Sequence, residues 1–370
     1  MKVAIVHDYL NQLGGAERVV GVLHQLFPQA PVFTSIVDRN RLWPSLVDAD
    51  IRTSWMQSLP GLQRHFKKYL PFYPIAMESF DLQEYDLVIS SSSAFAKGVR
   101  TRKDAIHFCY CHTPMRFVWD YDRYVEREQF GQITRTFLPM LIDRLKAWDL
   151  RTAGNPTRYI ANSSVVADRI RRYYGKEPTI IFPPVEIDRF SFAASKGDYF
   201  LLVSRLNPYK RIDLAIEAFN DLGLPLRIVG DGPDRPILER MAKPNIQFLG
   251  RRPDEEVARF YAECRGFVFP GEEDFGITPL EANAAGSPVI AYQAGGALDT
   301  VVDEESGIFF KEQTVAALKQ AVLRCDSHFW DRDRLRQNAM RFSPAVFSES
   351  LRSLLAQYGA QEFLTKRVLT

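Results

Sequence analysis

The feature that most restricts this chain is an alternation that occurs twice: short runs of Val, Ile, Leu and Phe, separated by amphipathic stretches of helical length. The first series places apolar runs at residues 3–6, 32–37, 87–89, 105–111 and 159–160. The second begins after Phe182-Pro183-Pro184, with runs at 200–203, 226–229, 246–249, 267–269 and 289–290 and helices expected near 212–222, 255–264 and 314–325. Strands joined by helices fit an α/β protein whose parallel sheets are covered on both faces. Such sheets take ligands in the crevice beyond the carboxyl ends of their strands. Two domains are expected, over 1–183 and 184–345, with substrate between them. The double proline makes a stiff extended connector and a candidate hinge. The remaining segment, 346–370, belongs to a last helical stretch that is able to cross back to the first domain.

Composition narrows the class. With 370 residues, 46% hydrophobic and 25% charged, the chain can bury two separate cores. It holds no apolar run long enough to cross a bilayer, and neither a secretory leader nor a membrane span is expected. Cys109, Cys111, Cys264 and Cys325 form no C-x-x-C pair and no metal-ligand spacing with the six histidines, so reduced, buried thiols are expected. Charge is uneven: residues 1–185 hold 24 Lys/Arg against 18 Asp/Glu, whereas 186–370 hold 23 against 27. In the first half Arg64, His65, Lys67 and Lys68 interleave with Phe66, Tyr69, Phe72 and Tyr73, and basic groups recur at Arg100, Arg102 and Lys103. Each basic group contributes about 1 kcal/mol at an anionic bilayer, and aromatic rings settle at headgroup level, so this face suits peripheral docking. A merely solvated face accounts for it too. A nucleic-acid partner is not expected, since the domain is only mildly basic and has no binding motif.

The segment that says most about function runs from Pro270 to Gly286 and sets Glu273 and Glu281 on either side of a glycine-containing turn. A strand precedes the turn and good helix formers follow it. A helix start directs backbone N–H groups and the positive end of its dipole at whatever lies above, which favours an anion. Two flanking carboxylates would repel a phosphate but accept hydrogen bonds from the hydroxyls of a sugar and a ribose. That combination describes a sugar nucleotide. The competing reading needs no ligand: Thr278 as cap, Pro279 at the first helical position and Glu281 three residues after the cap form a capping box.

Other residues fall at strand ends. Ser204 to Arg211 follows a strand, so Arg205, with a planar fork, and Lys210, as a point charge, are placed to hold a diphosphate. Charged hydrogen bonds of roughly 1.5 to 3 kcal/mol each would let this pair offset the leaving group's charge by about two to four decades in rate without a metal. Gly14-Gly15-Ala16-Glu17 opens a helix, where absent side chains admit a ligand and Glu17 complements the helix dipole. Gly230-Asp231-Gly232-Pro233 is similarly placed, or is only a turn. His112 ends a first-domain strand, where it hydrogen-bonds a sugar hydroxyl or stabilises a reacting centre, unless it is structural. The Asp-x-Asp spacing at Asp120-Tyr121-Asp122 recurs at Asp331-Arg332-Asp333 in an expected surface loop, and no metal is assigned to it.

Taken together, Gly-Gly-Ala-Glu at 14–17, Arg205 with Lys210, the 230–233 turn, and Glu273 with Glu281 resemble family 4 retaining glycosyltransferases of the GT-B fold. Cys-His-Thr-Pro-Met-Arg at 111–116, His7-Asp8-Tyr9 and Gly295-Gly296-Ala297-Leu298-Asp299 look most like the mannosyltransferases of bacterial O-antigen and exopolysaccharide assembly. The resemblance implies two Rossmann-like domains facing a central cleft, the first for acceptor and the second for nucleotide sugar. It further implies that Arg205 and Lys210 bind the diphosphate, while the backbone from Phe275 through Gly276 and Ile277 to Thr278 holds phosphate and sugar. Glu273 would accept from sugar hydroxyls and Glu281 from the ribose, His112 would face the anomeric centre, and Gly14, Gly15 and Gly230 would leave room for the donor. The chain departs from the pattern at Asp274, usually glycine, and at Asp299, where Glu is common.

The expected function is transfer of a hexose with retention of configuration, most consistent with mannose from GDP-mannose, onto a lipid-linked or polysaccharide acceptor. The expected location is the cytoplasm, peripheral on the inner face of the cell membrane, with no cofactor and no metal beyond the sugar nucleotide as co-substrate. A UDP-sugar donor, a sugar-nucleotide epimerase and a non-catalytic binding scaffold are the alternatives. Glu273 as a covalent nucleophile also stays open.

Overall fold

The computed structural model describes residues 2–120 and 132–358. The chain divides into two compact units, one built from the residues up to Pro184 together with those from Phe347, the other from Val185–Val346. Each is described by itself.

The first unit is organised on an all-parallel seven-stranded sheet in the order β3-β2-β1-β4-β5-β6-β7. Its strands are β1 (Val3–His7), β2 (Val32–Thr34), β3 (Ile51–Thr53), β4 (Leu87–Ser92), β5 (Ile106–Cys111), β6 (Arg158–Ala161) and β7 (Thr179–Ile180). Helices Gly15–Leu26 and Ser164–Tyr174 are among those that cover it. Helix Pro344–Gln357 adds Phe347, Leu351, Leu354 and Leu355 to the core beneath β1 and β5, an i, i+4, i+7, i+8 stripe. The second unit has an all-parallel six-stranded sheet, β10-β9-β8-β11-β12-β13, formed by Phe200–Val203 (β8), Leu226–Val229 (β9), Ile246–Gly250 (β10), Phe267–Phe269 (β11), Val289–Tyr292 (β12) and Gly307–Phe310 (β13). Both orders contain the doubly wound 3-2-1-4-5-6 pattern. The α/β, Rossmann-like architecture is therefore the expected one, and the order reverses at β1/β4 in one sheet and at β8/β11 in the other.

Most expected strands and helices fall within a few residues of the observed ones. Three departures have physical causes. Strand β4 runs on through Ser90, Ser91 and Ser92, all buried, because their hydroxyls find partners such as His107 Nε2, 2.8 Å from Ser90 Oγ. Short β3 and β7 lie at the margins of the first sheet and carry one apolar residue each, too few to stand out, and the edge strand β13, four residues opened by Gly307, is not among the expected strands. Asp331-Arg332-Asp333 is not a loop: Asp331 caps helix Arg332–Met340, its Oδ1 accepting from the Asp333 and Arg334 N–H groups. All four cysteines are buried and free. Among the described residues no helix is long and apolar enough to cross a membrane.

Candidate functional site

In the second unit the order reversal puts the segments after β8 and β11 side by side. The Ser204–Leu206 backbone is tied to the turn after β9 by Ser204 N–H to Val229 O, 3.0 Å, and Leu206 N–H to Asp231 O, 3.1 Å. Gly230 permits that closeness. Its φ is +128°, and a Cβ there would lie 1.8 Å from the Ser204 carbonyl oxygen. The glycine thus shapes the loop that carries Arg205, which is exposed. A short turn, Pro208–Lys210, then brings Lys210 against the second segment, where its ammonium pairs with the Glu273 carboxylate. Their side chains are only 13% and 24% exposed. Gly271 lies so near that a Cβ would come within 2.9 Å of the Lys210 backbone.

The segment after β11 closes into helix Ile277–Ala284. Gly276 is its cap, with φ +85° and no side-chain cap bond. The capping box of the competing reading does not form. The helix begins before Thr278, Pro279 is the third helical residue rather than the first, and Glu281 accepts instead from the Tyr261 hydroxyl at 3.2 Å. The left-handed turn at Gly276 starts the helix earlier than the sequence pattern suggests, and Pro279 is tolerated because the first N–H groups of a helix have no intrahelical acceptor. Phe275 is buried against Phe342, ring centroids 5.7 Å apart. Gly296 donates its N–H to Glu273 O at 2.8 Å, and a Cβ on it would meet Phe275 Cα at 2.2 Å. Gln313 was not expected here: it donates to Pro270 O at 2.9 Å and accepts from Arg211 at 3.3 Å, linking both segments. Nothing in its surrounding sequence signals that bridge.

Lys210, Glu273, Phe275, Gly276, Ile277, Thr278 and Glu281 therefore belong to one end of one sheet, beside Gly230 and Arg205. This arrangement offers a cation, two carboxylates and a helix start to a ligand that carries both phosphate and hydroxyl groups.

In the first unit, Gly14 caps helix Gly15–Leu26 in an extended conformation. His112, 9% exposed, follows β5, and its Nε2 lies 2.8 Å from Ser91 Oγ. Ser91 Oγ is also 3.1 Å from His7 Nδ1, and His7 Nε2 is 3.8 Å from Glu17 Oε1. Glu17, expected only to complement the helix dipole, is buried and accepts from Gln12 at 3.0 Å. Burial works against the charge on both His7 and Glu17, yet their mutual contact raises the His7 pKa and lowers that of Glu17. Lys68 is exposed, while the side chains of Arg64 and Lys67 lie outside the described residues. Trp55, Phe72 and Ile75, near Lys68 in sequence, are 43%, 43% and 59% exposed, and the Trp55 and Phe72 rings meet edge to face at 6.1 Å. Tyr121 and Asp122 of the first Asp-x-Asp also lie outside the described residues, among which no cluster of three His, Cys, Asp or Glu side chains is placed to hold a metal ion.

A profile described as Glycosyltransferase Family 4 matches residues 13–189, and one described as Glycosyl transferases group 1 matches 185–342. The chain is 27% identical over 235 residues to the O-antigen chain mannosyltransferase C of Escherichia coli, covering 59% of this chain and 62% of that protein. It is 44% identical over 108 residues to a GDP-mannose-dependent alpha-mannosyltransferase of Mycolicibacterium smegmatis, covering 29% and 28%. The chain spans less than two thirds of the length of these relatives and of several others that it matches. In structure it is similar to Anabaena HepE in complex with UDP, with a TM-score of 0.70 at 17% identity over 96% of this chain and 100% of that one.

Proposed function

The chain belongs to the family 4 glycosyltransferases of the GT-B fold, and from that premise we propose that it transfers mannose from GDP-mannose, with retention, to a lipid-linked or polysaccharide acceptor. The observation that carries the reading is the convergence of Lys210, Glu273 and the start of helix Ile277–Ala284 where the sheet order reverses. In this proposal the donor diphosphate competes with Glu273 for the Lys210 ammonium, and Arg205 joins from the loop after β8. Once the ammonium is drawn to phosphate, Glu273 is released to accept from sugar hydroxyls. The two events are coupled, so donor binding itself prepares the carboxylate. N–H groups at Ile277 and Thr278 face the same anion, and Glu281, oriented by the Tyr261 hydroxyl, accepts from the ribose.

Retention follows if the acceptor hydroxyl attacks from the face that the diphosphate leaves and a departing phosphate oxygen takes its proton, while the cations stabilise the charge that develops. His112, in the first unit, would donate a hydrogen bond to a sugar hydroxyl, and no resident metal or cofactor is needed in this scheme. The mannose assignment draws on the activities for which the two relatives above are named. Peripheral attachment to the inner face of the membrane draws on exposed Trp55, Phe72 and Ile75, with exposed Lys68 near them in sequence.

The UDP held by HepE favours one second reading, a UDP-sugar donor. Thermal shift with GDP and with UDP separates the two, since a ligand bound only by the native state raises the unfolding temperature. A larger shift with GDP, abolished by Lys210→Ala, is expected. A larger shift with UDP would move the assignment to the second donor. An epimerase would consume donor without acceptor, and a scaffold would bind nucleotide without releasing diphosphate.

A further inference from the structure

The contacts around His112 have a polarity that can be worked out donor by donor. His7 Nδ1 lies 3.0 Å from the Ser91 carbonyl oxygen, which can only accept, so Nδ1 carries a proton. The same proton faces Ser91 Oγ at 3.1 Å. Among the described residues the buried Ser91 hydroxyl has hydrogen-bond contacts at His7 and His112 only, so its own hydrogen goes to His112 Nε2 at 2.8 Å. His112 Nε2 is thus an acceptor, and in the neutral ring the proton lies on Nδ1. At the far end, Glu17 Oε1 lies 3.8 Å from His7 Nε2, while Glu17 Oε2 is buried without a hydrogen-bond partner. A carboxylate so enclosed is stabilised by a neighbouring positive charge, and the His7 ring is the group placed to supply it. Asp8 is the other carboxylate near His7, but its oxygens are engaged by four backbone N–H groups.

We propose that Glu17, His7 and Ser91 are positioning residues that hold His112 as a neutral Nδ1–H donor, with Nε2 capped and unable to act as a base. Two features enforce this state. The serine hydrogen occupies the basic nitrogen, and the His7 imidazolium, one hydroxyl away, opposes a second positive charge on His112. Glu17 keeps His7 charged, which keeps the Ser91 hydroxyl pointed at His112. The carboxylate in the helix after β1 thereby controls a histidine after β5 through a serine on the strand between them. The assignment of donors stands without reference to any substrate. Its kinetic consequence rests on the transferase reading above.

The test is selective ¹⁵N labelling of the six histidines in the full-length chain without ligand, with His7 and His112 signals assigned by substitution. The wild type should give a pyrrole-type Nδ1 and a pyridine-type Nε2 for His112, and a doubly protonated His7 at neutral pH. His7→Asn, whose amide nitrogen replaces Nδ1 as donor, should preserve the His112 tautomer. His7→Leu and Ser91→Ala should release it to a mixture of tautomers and raise its titration midpoint. An Nε2-protonated His112 or a neutral His7 in the wild type overturns the proposal, as does an unchanged His112 signal in Ser91→Ala. Should His7→Leu not fold, the wild-type spectrum and His7→Asn decide. In transfer assays Ser91→Ala and Glu17→Gln should lower kcat with the donor KM unchanged and add a pH-dependent limb near the ordinary histidine range, about pH 6 to 7. A flat, wild-type-like pH profile in both variants counts against the positioning role. Absence of transfer by the wild type from GDP-mannose overturns the substrate reading alone and leaves the tautomer result standing.

Discussion

The two units wind their sheets in the same order, yet they treat the point of reversal in opposite ways. In the first unit the space between β1 and β4 is filled by the protein's own anion: fully buried Asp8 accepts the N–H groups of Ser93, Ala94, Phe95 and Ala96 at 2.6, 3.0, 2.7 and 2.6 Å. In the second unit the corresponding place beyond β8 and β11 holds a partly exposed ion pair, Lys210 with Glu273, and a helix start without a side-chain cap. One unit uses the anion-binding geometry of its topology to hold itself together. The other, in the function proposed above, presents it to an incoming anion. A shared fold therefore does not give two equivalent sites, because what decides is whether a residue of the chain already occupies the donors.

The contrast is most easily broken at Asp8. Asp8→Ala would leave four donors without an acceptor, three of them buried, at roughly 1 to 3 kcal/mol for each buried one, so a loss on the order of 5 kcal/mol is expected and the first unit should unfold at low urea. A urea midpoint near the wild type's would mean that the internal anion is dispensable. Lys210→Ala should do the reverse: transfer falls by about two to four decades, while the urea midpoint moves far less than in Asp8→Ala, because a single charged hydrogen bond contributes roughly 1.5 to 3 kcal/mol. Full turnover in that variant, measured with the true donor, removes the phosphate grip.

Glycines sharpen the comparison. Gly230→Ala places a Cβ 1.8 Å from Ser204 O at φ +128° and should cost about 2 to 4 kcal/mol while weakening GDP binding through displacement of the Arg205 loop. Gly175→Ala, at φ +61° with open space around it, should cost only about 1 kcal/mol and leave GDP affinity intact. Equal effects at the two positions would show that positive φ, rather than the close approach to Ser204, is what Gly230 supplies.

The smallest expected effect is on pH dependence. His7 has its pKa raised above the ordinary 6.5, despite burial, by Glu17 and then Asp8. Its contribution is complete below that unfolded value and is lost as pH rises through the folded pKa. Glu17, lowered from 4.5 by His7 against the effect of burial, contributes above 4.5 and loses that contribution as pH falls through its folded pKa. Thermal stability of the first unit should thus decline on the alkaline side of pH 6.5. His7→Asn should flatten the decline, and an equally steep curve in that variant would argue against a charged His7.

Much of this was legible before any coordinates. Phe200–Val203, Leu226–Val229 and helix Ile212–Leu222 lie where apolar pattern and turn residues place them, because buried parallel strands need unbroken apolar runs and their covering helices need a stripe. The order of motifs pointed to the family, and strand-end position singled out Lys210 and Glu273. The end of β4 was hidden, since three serines read as a loop unless their partners across the sheet are known. Glu17 looked like a dipole residue for the same reason, its partner lying in the preceding strand. The Thr278-Pro279-Glu281 pattern suggested a capping box that the left-handed Gly276 precludes.

What the sequence settled by itself is local and periodic: which segments are strands or helices, that they alternate, and which chemical groups stand at strand ends. Tertiary structure alone decided which of those groups meet. Asp8 finds its donors at a separation of 85 to 88 residues, and Lys210 finds Glu273 only because β11 lies beside β8 in the sheet. Periodicity reports which face a residue occupies, whereas pairing across a sheet depends on strand order, which no single segment carries.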